Sequence, residues 1–82
     1  MEKVVSVEAG KDWTLKVRFS DGTEGVVSVK DRLFGPAFEP LRDVELFAQV
    51  RVDEFGAVCW PTGADLAPDA LYEQLKRQTE VA

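Results

Sequence analysis

The chain contains no histidine among its 82 residues. Histidine is the side chain that titrates near neutrality, the commonest general base and metal ligand, and the usual partner of a serine or cysteine nucleophile. Its absence excludes those arrangements. Cysteine is nearly absent too: Cys59 stands alone, so neither an internal disulfide nor a CxxC pair can form. It lies within Ala57-Val58-Cys59-Trp60, a context for a packed, inert thiol, with Arg51 as one cation that could lower its pKa. No apolar run approaches the roughly 20 residues that would span a bilayer, and Glu2 and Lys3 lead straight into a strand-like pattern without a signal-type stretch. The expected location is the cytoplasm, with no membrane attachment. The six glycines are scattered, which leaves no phosphate cradle.

Clustered positive charge is also missing. Net charge is −5; residues 1–41 carry seven acids and six bases, and residues 42–82 carry eight acids and four bases. Phosphate-backbone binding relies on grouped Lys and Arg, so direct nucleic-acid binding is not expected. What is present is ordinary for a soluble globular chain: 45% hydrophobic and 30% charged residues. The length allows one domain over residues 1–82, with a thin stability margin.

Lys3 to Ala9 alternates, with Val5, Val7 and Ala9 on one side and Ser6 and Glu8 on the other. Trp13 to Phe19 alternates throughout, Trp13, Leu15, Val17 and Phe19 facing away from Thr14, Lys16 and Arg18. A period of two marks half-buried antiparallel strands, joined here by Gly10-Lys11-Asp12. Ser20-Asp21-Gly22 sets the next register. A two-residue Asp-Gly loop would place Leu15 opposite Ser28. A three-residue loop with Gly22 left-handed places Leu15 opposite Val27, Trp13 opposite Val29 and Arg18 opposite Glu24. The latter matches apolar with apolar and cation with anion, so it is the predicted register. Glu54-Phe55-Gly56 repeats the pattern and predicts Val52 opposite Val58 and Val50 opposite Trp60.

Between the hairpins, Gly35-Pro36 and Glu39-Pro40 make residues 30–40 an extended or turned connector, with Leu33, Phe34 and Phe38 expected under the sheet edge. Asp43 is placed to cap a short helix reaching about Gln49, with Glu45 in its first turn. Pro61-Thr62-Gly63 turns the chain towards a second helix. Pro68 and Asp69 open it, Leu71, Leu75 and Tyr72 form its buried stripe, and the tail from Gln78 to Ala82 is expected to fray. The predicted fold is α+β: an antiparallel sheet of about five strands in two hairpin units, two helices on one face, in the order β-β-β-α-β-β-α.

Candidate chemistry is sparse. Asp65, Asp69 and Glu73 recur at intervals of four and could offer oxygens to a hard cation, but no ion-loop spacing is present, and the favoured reading is that Asp65 and Asp69 cap and charge a helix start while Glu73 is solvated. Ser6, Ser20 and Ser28 have no identifiable activating base. The sequence therefore predicts neither catalytic residues, nor a metal, nor a cofactor, and no enzyme. Trp13 and Trp60 fall on inward registers, consistent with core packing, while Trp60 could instead rim a shallow pocket with Pro61, Thr62 and Asp65. Phe55, in the middle of a tight loop, either folds back on the sheet or presents a contact to a partner. Phe55, Trp60, Pro61, Thr62 and Asp65 are thus the candidate interaction or ligand site.

Several segments resemble one family in the expected order: Val17-Arg18-Phe19-Ser20-Asp21-Gly22, Phe38-Glu39-Pro40-Leu41-Arg42-Asp43, Glu45-Leu46-Phe47, Val50-Arg51-Val52-Asp53, Trp60-Pro61-Thr62-Gly63-Ala64-Asp65-Leu66 and Pro68-Asp69-Ala70-Leu71-Tyr72. The chain is similar to the small bacterial proteins called domain of unknown function 2442. Val44 stands where the family often has proline, and Thr62 where it often has asparagine. The resemblance implies a compact α+β domain and supplies no activity. Family members are often encoded beside another small protein, which implies a toxin–antitoxin-like pairing, and some append a helix-turn-helix DNA-binding domain. The expectation for this chain is a sensing or partner-binding module. It would be an antitoxin-like partner of a co-encoded small protein, and a homodimer by way of its open strand edges; the alternative is a small-molecule-binding domain with a pocket near Trp60.

Overall fold

A computed structural model describes residues 2–80. In chain order the elements are β1 (Val4–Ala9), β2 (Thr14–Phe19), β3 (Glu24–Ser28), α1 (Val44–Phe47), β4 (Arg51–Val52), β5 (Val58–Cys59), β6 (Asp65–Leu66) and α2 (Pro68–Glu80). Single 3₁₀ turns lie at Lys11–Trp13, Lys30–Arg32 and Glu39–Arg42. The strands form two antiparallel three-stranded sheets, ordered β1-β2-β3 and β4-β5-β6. The class is α+β as the sequence implies, with six strands rather than five.

Three loops of one design fix these registers. In each, a backbone N–H bonds to the carbonyl four residues on: Phe19 to Thr23 at 2.7 Å, Asp53 to Ala57 at 2.8 Å and Trp60 to Ala64 at 3.0 Å. The third loop residue is Gly22, Gly56 or Gly63, with φ of 90°, 79° and 93°, a conformation that costs a side-chain-bearing residue strain. The first loop sets Leu15 opposite Val27 and Arg18 opposite Glu24, and the second sets Val52 opposite Val58, both as predicted. The third was not anticipated. Pro61-Thr62-Gly63 closes a hairpin onto β6 instead of leading directly into a helix, and two paired residues are too few to show a period in the sequence.

β1 departs from its reading. Its pairing shifts between Val4 (opposite Phe19) and Ser6 (opposite Arg18), so Val5 is an extra residue in the strand. Such a bulge reverses the facing of residues before it. Val4, not Val5, is buried, and Val5 is 55% exposed. Phe34 likewise stands 68% exposed rather than under the sheet, while Leu33 beside it is buried. Asp43 does cap α1, accepting the Glu45 N–H at 2.9 Å, although the helix ends at Phe47 instead of near Gln49. Gln78 is helical and α2 runs to Glu80, so the predicted fraying from Gln78 is not seen; Val81 and Ala82 lie outside the described residues.

One apolar core unites these pieces: Leu15, Val17, Phe19 and Val27 from the first sheet, Leu41 and Phe47, Val58, Trp60 and Leu66 from the second half, and Leu71 and Leu75 from α2. No polar or charged residue among those described is buried. Gly25 lets α2 approach, since a Cβ there would lie 2.5 Å from Leu75 Cδ1. α2 also covers the outer edge of β3. The side-chain amides of Gln74 and Gln78 donate to the carbonyls of Ser28 and Val26, both at 2.8 Å. Burying a leucine is worth about 1.5–3 kcal/mol, against about 0.5–1.5 kcal/mol for a hydrogen bond. Leu71 and Leu75 therefore hold the helix, and the glutamines set its rotation and close the strand edge.

Gly22 and Gly56 separate backbone strain from crowding. A Cβ on Gly22 meets nothing within 4 Å, whereas one on Gly56 would lie 2.5 Å from Lys3 Cβ and 3.2 Å from Lys3 Cα. We expect Gly22→Ala to cost about 1–2 kcal/mol from its left-handed backbone alone, and Gly56→Ala to cost clearly more because β1 must move. Urea unfolding of the two variants tests this; equal losses would contradict the close approach of Lys3.

Candidate functional site

The sequence-predicted site residues do not converge on one cavity. Trp60 is 3% exposed. Its ring stacks on Phe47 at 5.7 Å between centroids and meets Phe38 edge-on at 6.2 Å, and its indole N–H donates to the Phe47 carbonyl at 2.9 Å. A side chain so enclosed is core and forms no rim. Thr62 ties its turn to the connector, its hydroxyl donating to the Ala37 carbonyl at 2.9 Å. Pro61 and Asp65 face solvent, and Asp65 pairs with Cys59 in the β5–β6 ladder. Among the described residues, no group of three or more Asp, Glu, Cys or His side chains is gathered to hold a cation, so Asp65, Asp69 and Glu73 do not form one.

Phe55 is placed differently. It does not fold back; its ring is 71% exposed at the tip of the β4–β5 turn. That tip is rigidly built. Asp53 Oδ1 accepts the N–H of Phe55 at 2.8 Å and of Ala57 at 3.0 Å, and the Gly56 carbonyl accepts the Val4 N–H at 3.0 Å. The last bond joins the two sheets, and exposed Val5 follows directly in the chain. Two exposed apolar side chains, Val5 and Phe55, are therefore each one residue from the link between sheets.

A cleft of about 380 Å³ opens elsewhere, lined by Trp13, Lys30, Asp31, Leu33 and Arg42. Its construction begins with the 3₁₀ turn Lys11–Trp13, where Asp12 (φ 56°, ψ 41°) and Trp13 (φ 56°) both take positive φ. Non-glycine residues in such conformations cost of order 1–3 kcal/mol each and persist only where the surroundings over-determine them. Here the Trp13 carbonyl accepts the Val29 N–H at 2.9 Å, its indole N–H donates to the Leu41 carbonyl at 2.9 Å, and Lys30 pairs with Asp12 at 3.3 Å. Arg42 Nε donates to the Leu33 carbonyl at 2.9 Å. Asp31 and Arg42 line the same space without forming an ion pair. Trp13 is only half-buried and precedes β2, so the alternation that placed it in a strand gave the right register partner, Val29, and hid the turn. Leu33 is buried as expected, but nothing in sequence marked Lys30, Asp31 and Arg42 as its neighbours in a cleft, because the connector that gathers them has no period.

Nucleophile chemistry has little support in the geometry. Ser20 Oγ donates to Glu2 Oε1 at 2.8 Å, but the same oxygen accepts the Lys3 N–H at 3.2 Å, and the group is exposed. It is a tie between the start of the chain and the β2–β3 turn. The neighbouring Asp21 has the more consequential contact, accepting the Tyr72 hydroxyl at 2.6 Å while Tyr72 packs edge-on against Phe19 at 4.8 Å. That hydroxyl first, then the Thr23 N–H, holds the Asp21 carboxyl below its ordinary 3.8.

The family profile described as "Protein of unknown function (DUF2442)" matches residues 4–77. Among curated proteins, none matches the chain. Among solved structures, a crystal structure from Nitrosomonas europaea ATCC 19718 described as a "Putative DNA Binding Protein" is similar, at 33% identity and a TM-score of 0.82. The match covers 96% of this chain and 52% of that one, so this chain spans about half the length of that relative.

The Asp21–Tyr72 contact gives a signed pH dependence. A carboxyl with a depressed folded pKa contributes stability that is complete above its unfolded value and is lost as pH falls through the folded value. Tyr72→Phe is therefore expected to lower the urea midpoint near pH 6, and the gap from wild type should narrow as pH falls below 3.8. A gap independent of pH would assign the effect to Phe19 packing instead.

Proposed function

This chain belongs to the DUF2442 family, and from that premise we propose that it is a non-enzymatic interaction module that presents Phe55 to a protein partner. The carrying observation is the exposure of that ring on a turn rigidified by Asp53 and Gly56. A turn whose backbone is fixed in advance of binding loses little further conformational freedom on contact, and a small number of aromatic anchors can dominate an interface. Val5 is likewise exposed, and Asp53 and Glu54 precede Phe55 in the turn with negative charge, while Lys3 lies against Gly56. A basic partner fits that pattern, and the antitoxin-like pairing with a co-encoded small protein is the arrangement we favour.

The similar structure's description names DNA binding for a protein about twice the length of the shared region. For this chain we propose a regulatory or partner-binding contribution without direct phosphate contacts, since its net charge is −5 and its Lys and Arg are dispersed. Homodimerisation through Phe55 would bury the same ring and compete with the partner.

Co-expression with the product of the adjacent reading frame tests the proposal. The two proteins are expected to co-purify, and Phe55→Ser should abolish the complex while shifting stability by no more than about 0.5 kcal/mol, as for an ordinary surface change. Failure to co-purify, or a complex that survives Phe55→Ser, would overturn it. Salt-dependent binding of the isolated chain to a mixed-sequence DNA duplex would overturn the exclusion of phosphate contacts.

A further inference from the structure

The geometry points to the Trp13 cleft as a binding site for a free α-amino acid with an apolar side chain. This goes beyond the interaction surface at Phe55 and does not depend on it. The cleft's volume, about 380 Å³, falls in the range of small-ligand sites, roughly 300–1,000 Å³. Its lining divides into apolar and charged parts: Trp13 and Leu33 supply hydrocarbon, Arg42 and Lys30 supply cations, and Asp31 supplies a carboxylate.

The charges decide the ligand class. Lys30 is committed to Asp12 at 3.3 Å. Arg42 spends its Nε on the Leu33 carbonyl at 2.9 Å, which fixes the guanidinium and leaves its Nη donors without a carboxylate partner among the described residues. Asp31 borders the same space and does not close on Arg42. Two opposite charges that share a cleft yet stay apart suit a ligand carrying both signs. The guanidinium fork is matched to a carboxylate, Asp31 to an ammonium, and Trp13 and Leu33 to an apolar side chain between or beside them. Both charged groups are exposed, so a ligand of one sign would engage only one of them and leave the other to solvent.

The framework is pre-set for such a ligand. Positive φ at two consecutive non-glycine residues, Asp12 and Trp13, is held by bonds to Val29, Leu41 and Lys30. These bonds fix the indole where it lines the cleft; a relaxed turn would leave it free to move. Backbone strain maintained in this way is a recurrent property of binding sites.

Titration of the full chain with L-leucine and L-phenylalanine, followed by ¹H–¹⁵N spectra of the two indole N–H groups, tests the site. Trp13→Phe identifies which resonance belongs to Trp13, and the Trp60 indole, buried against Phe47, serves as the internal control. The Trp13 resonance is expected to move saturably while that of Trp60 does not. N-acetyl-phenylalanine, which lacks the ammonium, and phenylalaninamide, which lacks the carboxylate, should each bind about tenfold more weakly or worse, as should the exposed-residue variants Arg42→Gln and Asp31→Asn. No saturable shift up to about 10 mM ligand, well above a millimolar Kd, overturns the site. Equal binding of either blocked derivative, or wild-type affinity in both variants, overturns the ligand class.

Discussion

The indole of Trp60 joins three separate parts of the chain. Phe47 belongs to α1, Phe38 to the connector, and Trp60 itself ends the β5 hairpin and begins the next turn, whose Thr62 bonds back to Ala37. The second sheet has strands of only two residues, too short to persist on their own ladders. They are held because Trp60, Val58 and Leu66 enter the same core as Leu15, Val17 and Phe19. Truncating an aromatic ring in such a place removes about 3–5 kcal/mol, a large part of the roughly 5–15 kcal/mol that a domain possesses. The most recognisable segment of the sequence is accordingly a folding determinant.

A core free of buried polar groups has a corollary for function. Among the described residues the polar side chains all reach the surface, and two surface features are described above. One is the convex turn carrying Phe55 at the joint between the sheets. The other is the concave cleft beside Trp13, where the connector between β3 and α1 wraps around a strained turn. They lie on different elements of the fold.

What could be read from the residues follows from how local the cause was. The Ser20-Asp21-Gly22 and Glu54-Phe55-Gly56 loops and the registers they impose are legible because glycine position and cross-strand matching agree. The Asp43 cap and the Pro68 helix start are legible for the same reason. The bulge at Val5 was not, since an alternating Lys3–Ala9 segment looks unbroken until the Val4–Gly56 bond pulls Val4 inward. β6 was hidden by its two-residue length. The Trp13 cleft was invisible because its lining comes from residues 13 to 42, brought together by side-chain bonds to the Leu33 and Leu41 carbonyls that no sequence pattern marks. Trp60, offered both as core and as a pocket rim, resolved to core through its bond to Phe47.

The glutamine clamp of α2 on β3 also has a temporal side. Gln74 follows Ser28 by 46 residues and Gln78 follows Val26 by 52. A ribosome adding about 5–20 residues per second makes the strand several seconds before it makes the helix that covers it. During that interval Val26, exposed even in the finished fold, lies on an open strand edge, the kind of surface that recruits other chains. The growing polypeptide therefore contains β3 before it contains the helix that covers its edge, and the speed of translation through residues 29–78 sets how long that interval lasts.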